Sequence, residues 1–557
     1  MDLEKKPSSE VTVDDILQKL GPFGKFNILN FMLILIPVYL AGMYSSVYNF
    51  ESMDLDYRCA VPECAEDPLL VNFTIPYIDG EFSKCVRFAP LTNISRNTNT
   101  TDVNYCLPQH FDTTRQIECE SFVYLEEHSI VKEFNLACQD WKRSLVGTVH
   151  NAGFFISIPL TGFISDKYGR RLAVVFAAVA NGAFGVIRAL SVNYNMFVAF
   201  EFLEPAFGGG VYTACFVLAL ELVGPKGRVL VSLLFNTMFI LGGVTVTLLS
   251  WWLANWRYLL FIIYTPAVFI FVYMWTLTES FRWLFSKGRY EDGLNVLSKS
   301  EKFNKATIPK DYYTQVEKHA TKQRDARKVE AKETNQSTFK QIFTSPMIWK
   351  RLFICSFLWI TSTLVYYGLS INAIELSGNS YLNYIVVLVI EAPANVCKLI
   401  FLDRYGRKRV IATAFFFTGL ILVNYAFVPA GHWSLALYLG GKFFITLAYN
   451  SLYVFAAEVF PTNYRTSLLA ACSTIGRIGS TLAPLTPLLT RFYEYLPTMV
   501  FGVMAAASGF LVLALPETNN LKLPDTLKEA KDQDTTQEQR DQHQENIDKN
   551  NISKTRL

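Results

Sequence analysis

Residues 162–171 read GFISDKYGRR and residues 399–408 read LIFLDRYGRK. Asp166, Tyr168, Gly169 and Arg170 of the first recur as Asp403, Tyr405, Gly406 and Arg407 of the second, 237 positions on. The same displacement carries Glu221, seven residues before Arg228, onto Glu458, seven before Arg465. Leu277-Thr-Glu279 returns as Leu515-Pro-Glu517 at an offset of 238. Three landmarks at one spacing describe a chain of two equivalent halves joined by an intervening segment. The match is not complete, since Leu399 stands where the first half has Gly162.

Composition says what fills the halves. Of 557 residues, 51% are hydrophobic and 18% charged, against roughly 25% charged in soluble proteins. A net charge of +3 is too small to indicate a nucleic-acid partner. Apolar runs near the length needed to cross a bilayer, about 20 residues, recur twelve times. They lie near 26–48, 143–165, 172–192, 195–221, 229–251, 256–277, 349–371, 381–402, 409–428, 433–457, 466–490 and 497–516. The expected fold is an all-α membrane protein of twelve transmembrane helices in two pseudo-symmetric groups of six. About 25 polar residues precede the first run, which is therefore not an ordinary cleavable signal. Parallel halves related by an axis along the membrane normal build one large class of secondary transporters.

Basic residues orient the chain. DKYGRR, GPKGR (224–228), DRYGRKR (403–409) and the Lys/Arg-rich segment 279–348 alternate onto one side, expected to be the cytoplasm. Both termini then lie inside, in a multi-pass protein of the plasma membrane. The divisions are a cytoplasmic N-terminus (1–25), a first half (26–278), a cytoplasmic linker (279–348), a second half (349–518) and a disordered polar tail (519–557). The loop 49–142 falls outside. It holds six of the ten cysteines, Cys59, Cys64, Cys85, Cys106, Cys119 and Cys138. An even count in an oxidising compartment implies three disulfides whose pairing sequence leaves open. The same loop carries glycosylation sequons at Asn72, Asn93 and Asn99.

The repeated motifs have a mechanical reading. Gly169 and Gly406 permit tight turns. Asp166 and Asp403 can pair with Arg170, Arg171 and Arg407 or sit at a helix N-terminus. Glu221, Arg228, Glu458 and Arg465 mark helix ends on the same side, where charge pairs can close a gate and release it. Topology signals and solvated loop charges are the competing reading.

GFISDKYGRR resembles the loop signature of the major facilitator superfamily. EFNLACQDWKRSLV (133–146), ELVGPKGR (221–228), ESFRWL (279–284), YYGLSINAIELSGN (366–379), VIEAPAN (389–395) and EVFPTNYR (458–465) narrow it. Together with the long first loop they resemble the organic cation, organic anion and carnitine transporter family over about residues 15–520. Phe281 departs from that pattern, standing where the family usually has proline.

Two ionisable residues lie well inside spans, Glu391 and Arg477, and such residues are functional candidates because their burial in a membrane is costly. Pro393 weakens the helix beside Glu391. A structural ion pair, including one between these two, is the alternative. Arg188, Glu201 and Glu204 fall near span ends and read as interfacial. His150 reads as a satisfied packing histidine and Lys398 as a snorkelling residue. The resemblance implies that Glu391 faces a central cavity. It also implies that Arg477 occupies a position that is aspartate in the cation branch and arginine in the carnitine and anion branches. By the same resemblance a span-7 tyrosine, Tyr366 or Tyr367, contacts substrate, and Asn450 lines the cavity. Aromatic faces bind quaternary ammonium groups, and Tyr39, Tyr44, Tyr212 and Tyr449 are further candidates.

The expected function is secondary-active or facilitative transport of small organic ions by alternating access. Glu391 suits an ammonium and Arg477 a carboxylate, so organic cations and carnitine-like zwitterions come first and an organic anion exchanger second. Sodium or a proton is the coupling ion considered. A receptor built on the disulfide loop leaves the intramembrane charges without a role. An enzyme or ATP-driven pump finds no support, since the sequence holds no GxxxxGK[ST], HExxH or GxSxG motif, and neither a cofactor nor a metal is expected.

Overall fold

The computed structural model describes residues 24–304 and 345–518, apart from 63, 65–71, 79–80, 92–106, 127, 224–226, 377, 430 and 462–464. Asn93, Asn99, Cys106, most of the linker and the tail lie outside the described residues, as does the Asn72 side chain.

Among the described residues, twelve long helices form the body. In the first half they are α1 Lys25–Glu51, α2 Asp140–Tyr168, α3 Arg170–Ala189, α4 Tyr194–Leu222, α5 Arg228–Leu253 and α6 Trp256–Thr276. In the second they are α7 Pro346–Asn372, α8 Ser380–Tyr405, α9 Arg407–Tyr425, α10 His432–Val459, α11 Arg465–Leu482 and α12 Leu496–Leu513. Ten of these segments are long and apolar enough to cross a membrane. The other two, α2 and α10, have 29 and 28 residues. Inward-facing polar side chains dilute their apolar content: Ser144, His150 and Asn151 in α2, and Lys442, Thr446 and Ser451 in α10, are all buried. Large apolar side chains such as Met32, Phe163, Trp252, Phe353 and Phe510 stay exposed on the perimeter, where acyl chains rather than water would meet them.

Packing repeats with the sequence. In the first half α1 packs on α5, α3 on α6 and on α4, and α2 on α4; in the second, α7 packs on α11, α9 on α12 and on α10, and α8 on α10. The halves meet where α2 touches α11 and α5 touches α8.

The repeated turns explain their own spelling. Gly169 and Gly406 take φ of +121° and +92° between α2 and α3 and between α8 and α9, a region that side chains disfavour. The Glu279 carboxylate accepts hydrogen bonds from the Arg170 and Arg171 N–H groups at 2.9 and 3.2 Å, capping α3 from the far end of the same half. Glu517 does the same for Arg407 and Lys408 of α9 at 3.1 and 3.4 Å. A Cβ on Gly169 would lie 2.3 Å from Glu279 Oε2, and one on Gly406 2.7 Å from Glu517 Oε2. The helix N-terminus that the sequence reading offered to Asp166 is thus held by Glu279, while Asp166 pairs with Arg170 at 2.6 Å. Glu221 also pairs with Arg170, at 3.2 Å, rather than with Arg228, which is exposed. The second half repeats this: Arg407 binds Asp403 at 3.0 Å and Glu458 at 3.2 Å. These pairs lie within a half, not across the two.

Between α1 and α2 the loop adds small antiparallel pairs to the helical fold: β1 Tyr57–Cys59, β2 Tyr77–Ile78, β3 Glu81–Phe82, β4 Val86–Pro90, β5 Phe111–Glu118 and β6 Phe122–Tyr124, joined as β1–β6, β2–β3 and β4–β5. Disulfides join Cys59 to Cys119 and Cys85 to Cys138, and Cys64 is also disulfide-bonded. Ser129 fastens the loop to α1 by donating to the Glu51 and Met53 carbonyls.

Gly169→Ala should lower the thermal unfolding temperature of the purified protein. The backbone cost alone is about 1–3 kcal/mol, and the displaced Glu279 cap adds to it. Gly162→Ala is the control, because a Cβ there meets nothing within 4 Å. Equal melting of the two variants would remove the role given to this turn.

Candidate substrate site between the halves

Glu391 begins the second segment of α8, after the helix breaks at Ile390, with Pro393 two residues on. The break places its carboxylate against α10 and α7. The partner waiting there is Lys442. Its ammonium lies 2.9 Å from Glu391 Oε1, donates to Ser370 Oγ at 2.7 Å and to the Tyr366 carbonyl at 3.2 Å, and sits 3.4 Å from the Tyr366 ring centroid. Lys442 is fully buried and Glu391 nearly so. The sequence reading missed Lys442 and allowed Glu391 to pair with Arg477; in the structure Glu391 pairs with Lys442. The missed signal was a lysine in the middle of an apolar run, LYLGGKFFITL (437–447).

Arg477 on α11 is half-buried and has no carboxylate within ion-pair distance among the described residues. Its guanidinium lies 5.0 Å from the Phe154 ring centroid of α2. Thus the two sequence candidates carry different environments: a carboxylate already matched, and a cation that is not.

Aromatic rings connect them. Tyr366 meets Tyr367 edge-on at 5.1 Å and Tyr449 at 5.3 Å, and Tyr449 lies 6.0 Å from Trp359. Asn450 donates to Asn395 Oδ1 at 2.7 Å, tying α10 to α8. Tyr212 reaches toward this region from α4 but packs among Phe216, Phe235 and Phe239. Two candidates lie elsewhere. Tyr39 donates to Thr245 of α5 at 2.9 Å, and Tyr44 is stacked on Tyr264 at 4.5 Å.

On the loop face the halves are bound together. Arg143 of α2 holds Asp54 at 3.0 Å and Glu375 of the second half at 3.4 Å; Arg491 pairs with Asp140; Asn49 donates to the Tyr384 hydroxyl at 3.2 Å. Asn49, Asp54, Asp140, Arg143, Glu375 and Arg491 line a cavity of 460 Å³.

The residues read as interfacial are sealed inside the first half. Arg188, Glu201 and Glu204 are 0–1% exposed. Arg188 pairs with Glu201, lies 3.5 Å from Glu51 and 3.9 Å from Glu204, and donates to the Tyr264 hydroxyl at 3.1 Å. His150 lies 2.8 Å from Glu201 Oε1. Nearness to a helix end set their depth in the sequence; it did not tell which way they faced. Glu51, one turn past the expected end of the first span, was not singled out. His150 is a packed, hydrogen-bonded residue, as expected.

Residues 97–527 match the family described as sugar (and other) transporter. The chain is 28% identical over 533 residues to the organic cation transporter protein of Drosophila melanogaster, covering 93% of this chain and 94% of that one. It is 30% identical over 542 residues to solute carrier family 22 member 2 of Homo sapiens, covering 93% and 95%. Among solved structures it is similar to the proton:xylose symporter XylE, with a TM-score of 0.59 at 16% identity, over 90% of this chain and 98% of that one.

Glu391→Gln leaves a buried ammonium unmatched and should cost about 3–5 kcal/mol of stability. Adding Lys442→Met to it should recover most of that loss. Thermal unfolding of the three variants against the parent measures the coupling; additive losses would mean the two side chains do not act as a pair.

Proposed function

The chain is a transmembrane transporter that belongs to the sugar (and other) transporter family and, within it, to the solute carrier 22 branch, and from that premise we propose that it carries small organic zwitterions bearing an ammonium and a carboxylate. The observation that carries this reading is the contrast between Lys442 and Arg477. A guanidinium deep in a membrane protein is costly without a counter-charge, and a carboxylate can supply one through two parallel hydrogen bonds. Relatives named for organic cations support the ammonium half of the cargo. Glu391 and the faces of Tyr366 and Tyr449 are the groups to receive it.

Lys442 shapes that choice. Its ammonium already occupies the carboxylate of Glu391 and the face of Tyr366, so it acts as a tethered competitor for any cation. A plain cation must displace it with nothing to offer Arg477. A zwitterion gains at Arg477 what it spends displacing Lys442. A carboxylate without an ammonium leaves the pair intact, which keeps an organic anion as the second cargo.

Transport by alternating access fits the two packed halves. The disulfide loop is assigned to the exterior and both termini to the cytoplasm of a plasma-membrane protein, with sequons Asn72, Asn93 and Asn99 outside. On that assignment the loop face, tied by Arg143 with Glu375 and Arg491 with Asp140, is the outer side. The gating set on the inner side is Asp166, Gly169, Arg170, Arg171, Glu221 and Arg228, with Asp403, Gly406, Arg407, Glu458 and Arg465. Their role is to hold the inner ends of each half in shape while the halves rock.

Uptake of labelled carnitine, a quaternary ammonium without a carboxylate, and an aromatic carboxylate by cells expressing the chain tests the reading. Arg477→Gln should raise KM for carnitine by roughly 10- to 100-fold, the worth of a charge-assisted hydrogen bond of about 1.5–3 kcal/mol, and spare the plain cation. Lys442→Met should increase uptake of the plain cation. Preference of the parent for the plain cation, unchanged in Arg477→Gln, would make Arg477 structural and leave recognition to Glu391 and the aromatics.

A further inference from the structure

The buried charges of the first half are not used by the substrate reading. Glu51 ends α1, His150 lies on α2, Arg188 on α3, and Glu201 and Glu204 lie one turn apart on α4. All five are at most 2% exposed. Three carboxyls therefore face one guanidinium, with an imidazole beside them. Tyr44 and Tyr48 of α1 and Tyr264 of α6 complete the surroundings and bring no positive charge. Arg257, which bonds the Ala189 carbonyl beside Arg188, is taken by Glu133 and by the Ala189 and Ser191 carbonyls.

Charge balance then requires protons. A sealed site strongly disfavours two uncompensated negative charges. The contacts say the same. Arg188 pairs with Glu201 and lies 3.5 Å from Glu51 and 3.9 Å from Glu204, so a single guanidinium is shared among three carboxyls. Neither Glu51 oxygen, nor Glu204 Oε2, receives a hydrogen bond from a protein donor.

The site touches both moving parts. Asn49 and Phe50, immediately before Glu51, hold Tyr384 and Tyr381 of α8 across the outer seal, and Asn49 borders the outer cavity. On the other side the His150 ring packs 5.8 Å from Phe154, the ring on which Arg477 lies.

We propose that Glu51, Glu201, Glu204, His150 and Arg188 form a proton-binding site beneath the outer seal, and that one proton taken up there accompanies each inward transport step. Opening the seal brings water to the carboxylates and stabilises their charged form. Closing it buries them and favours the protonated form. The proton comes from external water, forms an O–H bond on a carboxylate oxygen, and returns to water in the inward-facing cavity by way of His150. External acid therefore favours closure and uptake. The proposal rests on the transporter reading but on no particular cargo.

Infrared difference spectroscopy of the purified full-length protein, titrated from about pH 5 to pH 9 in H2O and D2O, reads the site without any substrate. A protonated-carboxyl C=O band should persist at neutral pH and lose intensity in Glu51→Gln and in Glu204→Gln. Both variants imitate the protonated form and should melt like the parent, whereas Arg188→Met should melt lower. No such band at neutral pH, or a loss of stability in Glu51→Gln as large as in Arg188→Met, would establish an ionised structural network and overturn the proposal. In cells, carnitine uptake should rise up to about tenfold per unit of external acidification in the parent and become flat in Glu51→Gln; a parent profile that stays flat while carnitine is carried also overturns it. If carnitine is not carried, the spectra decide the proton site and only the cargo reading falls.

Discussion

A charge sealed among membrane helices must find its opposite, because neither lipid nor bulk water is there to solvate it. That requirement organises this protein more than any apolar contact does. Apolar packing between helices is nearly interchangeable with apolar contact to lipid. The places where helices are fixed relative to one another are therefore polar: Glu279 and Glu517 on the backbones of α3 and α9, Arg170 on Glu221, Arg407 on Glu458, and Lys442 on Glu391. Where the requirement is met the structure is fastened. Where it is left open, as at Arg477, something from outside is invited to meet it.

The two halves meet the requirement differently although they descend from one pattern. Their inner turns match almost atom for atom in partners and spacing. Their interiors do not. The first half gathers buried charges around Arg188. The second keeps one buried pair, Lys442 and Glu391, beside a set of tyrosines. A repeated frame thus carries unlike contents.

Much of this frame was legible in the sequence. The recurrence of Asp…Gly-Arg, of Glu…Arg and of the trailing glutamate fixed two halves, and the apolar runs supplied twelve helices, even at α2 and α10, whose polar faces weaken the signal. What was not legible was direction. Arg188, Glu201 and Glu204 were read as interfacial from their place near span ends, and that place does not reveal that their side chains turn into the bundle. Lys442 passed unnoticed among phenylalanines, and so Glu391 lacked its partner. The disulfide pairs Cys59–Cys119 and Cys85–Cys138 depend on how the loop strands lie together, which no spacing rule supplies. Tyr39 and Tyr44 show the remaining ambiguity: a tyrosine in a span is as ready to brace a neighbouring helix as to line a cavity.

The cap that Glu279 places on α3 has a consequence for the linker. Glu279 is the point where the chain leaves the first half, and it is also the residue that closes the ring α3–α6 of that half. A pull on the linker is thus delivered straight to the backbone of α3 and not to a slack tether. Glu517 gives the tail the same purchase on α9. The point where the chain leaves each half is thereby part of that half's own frame.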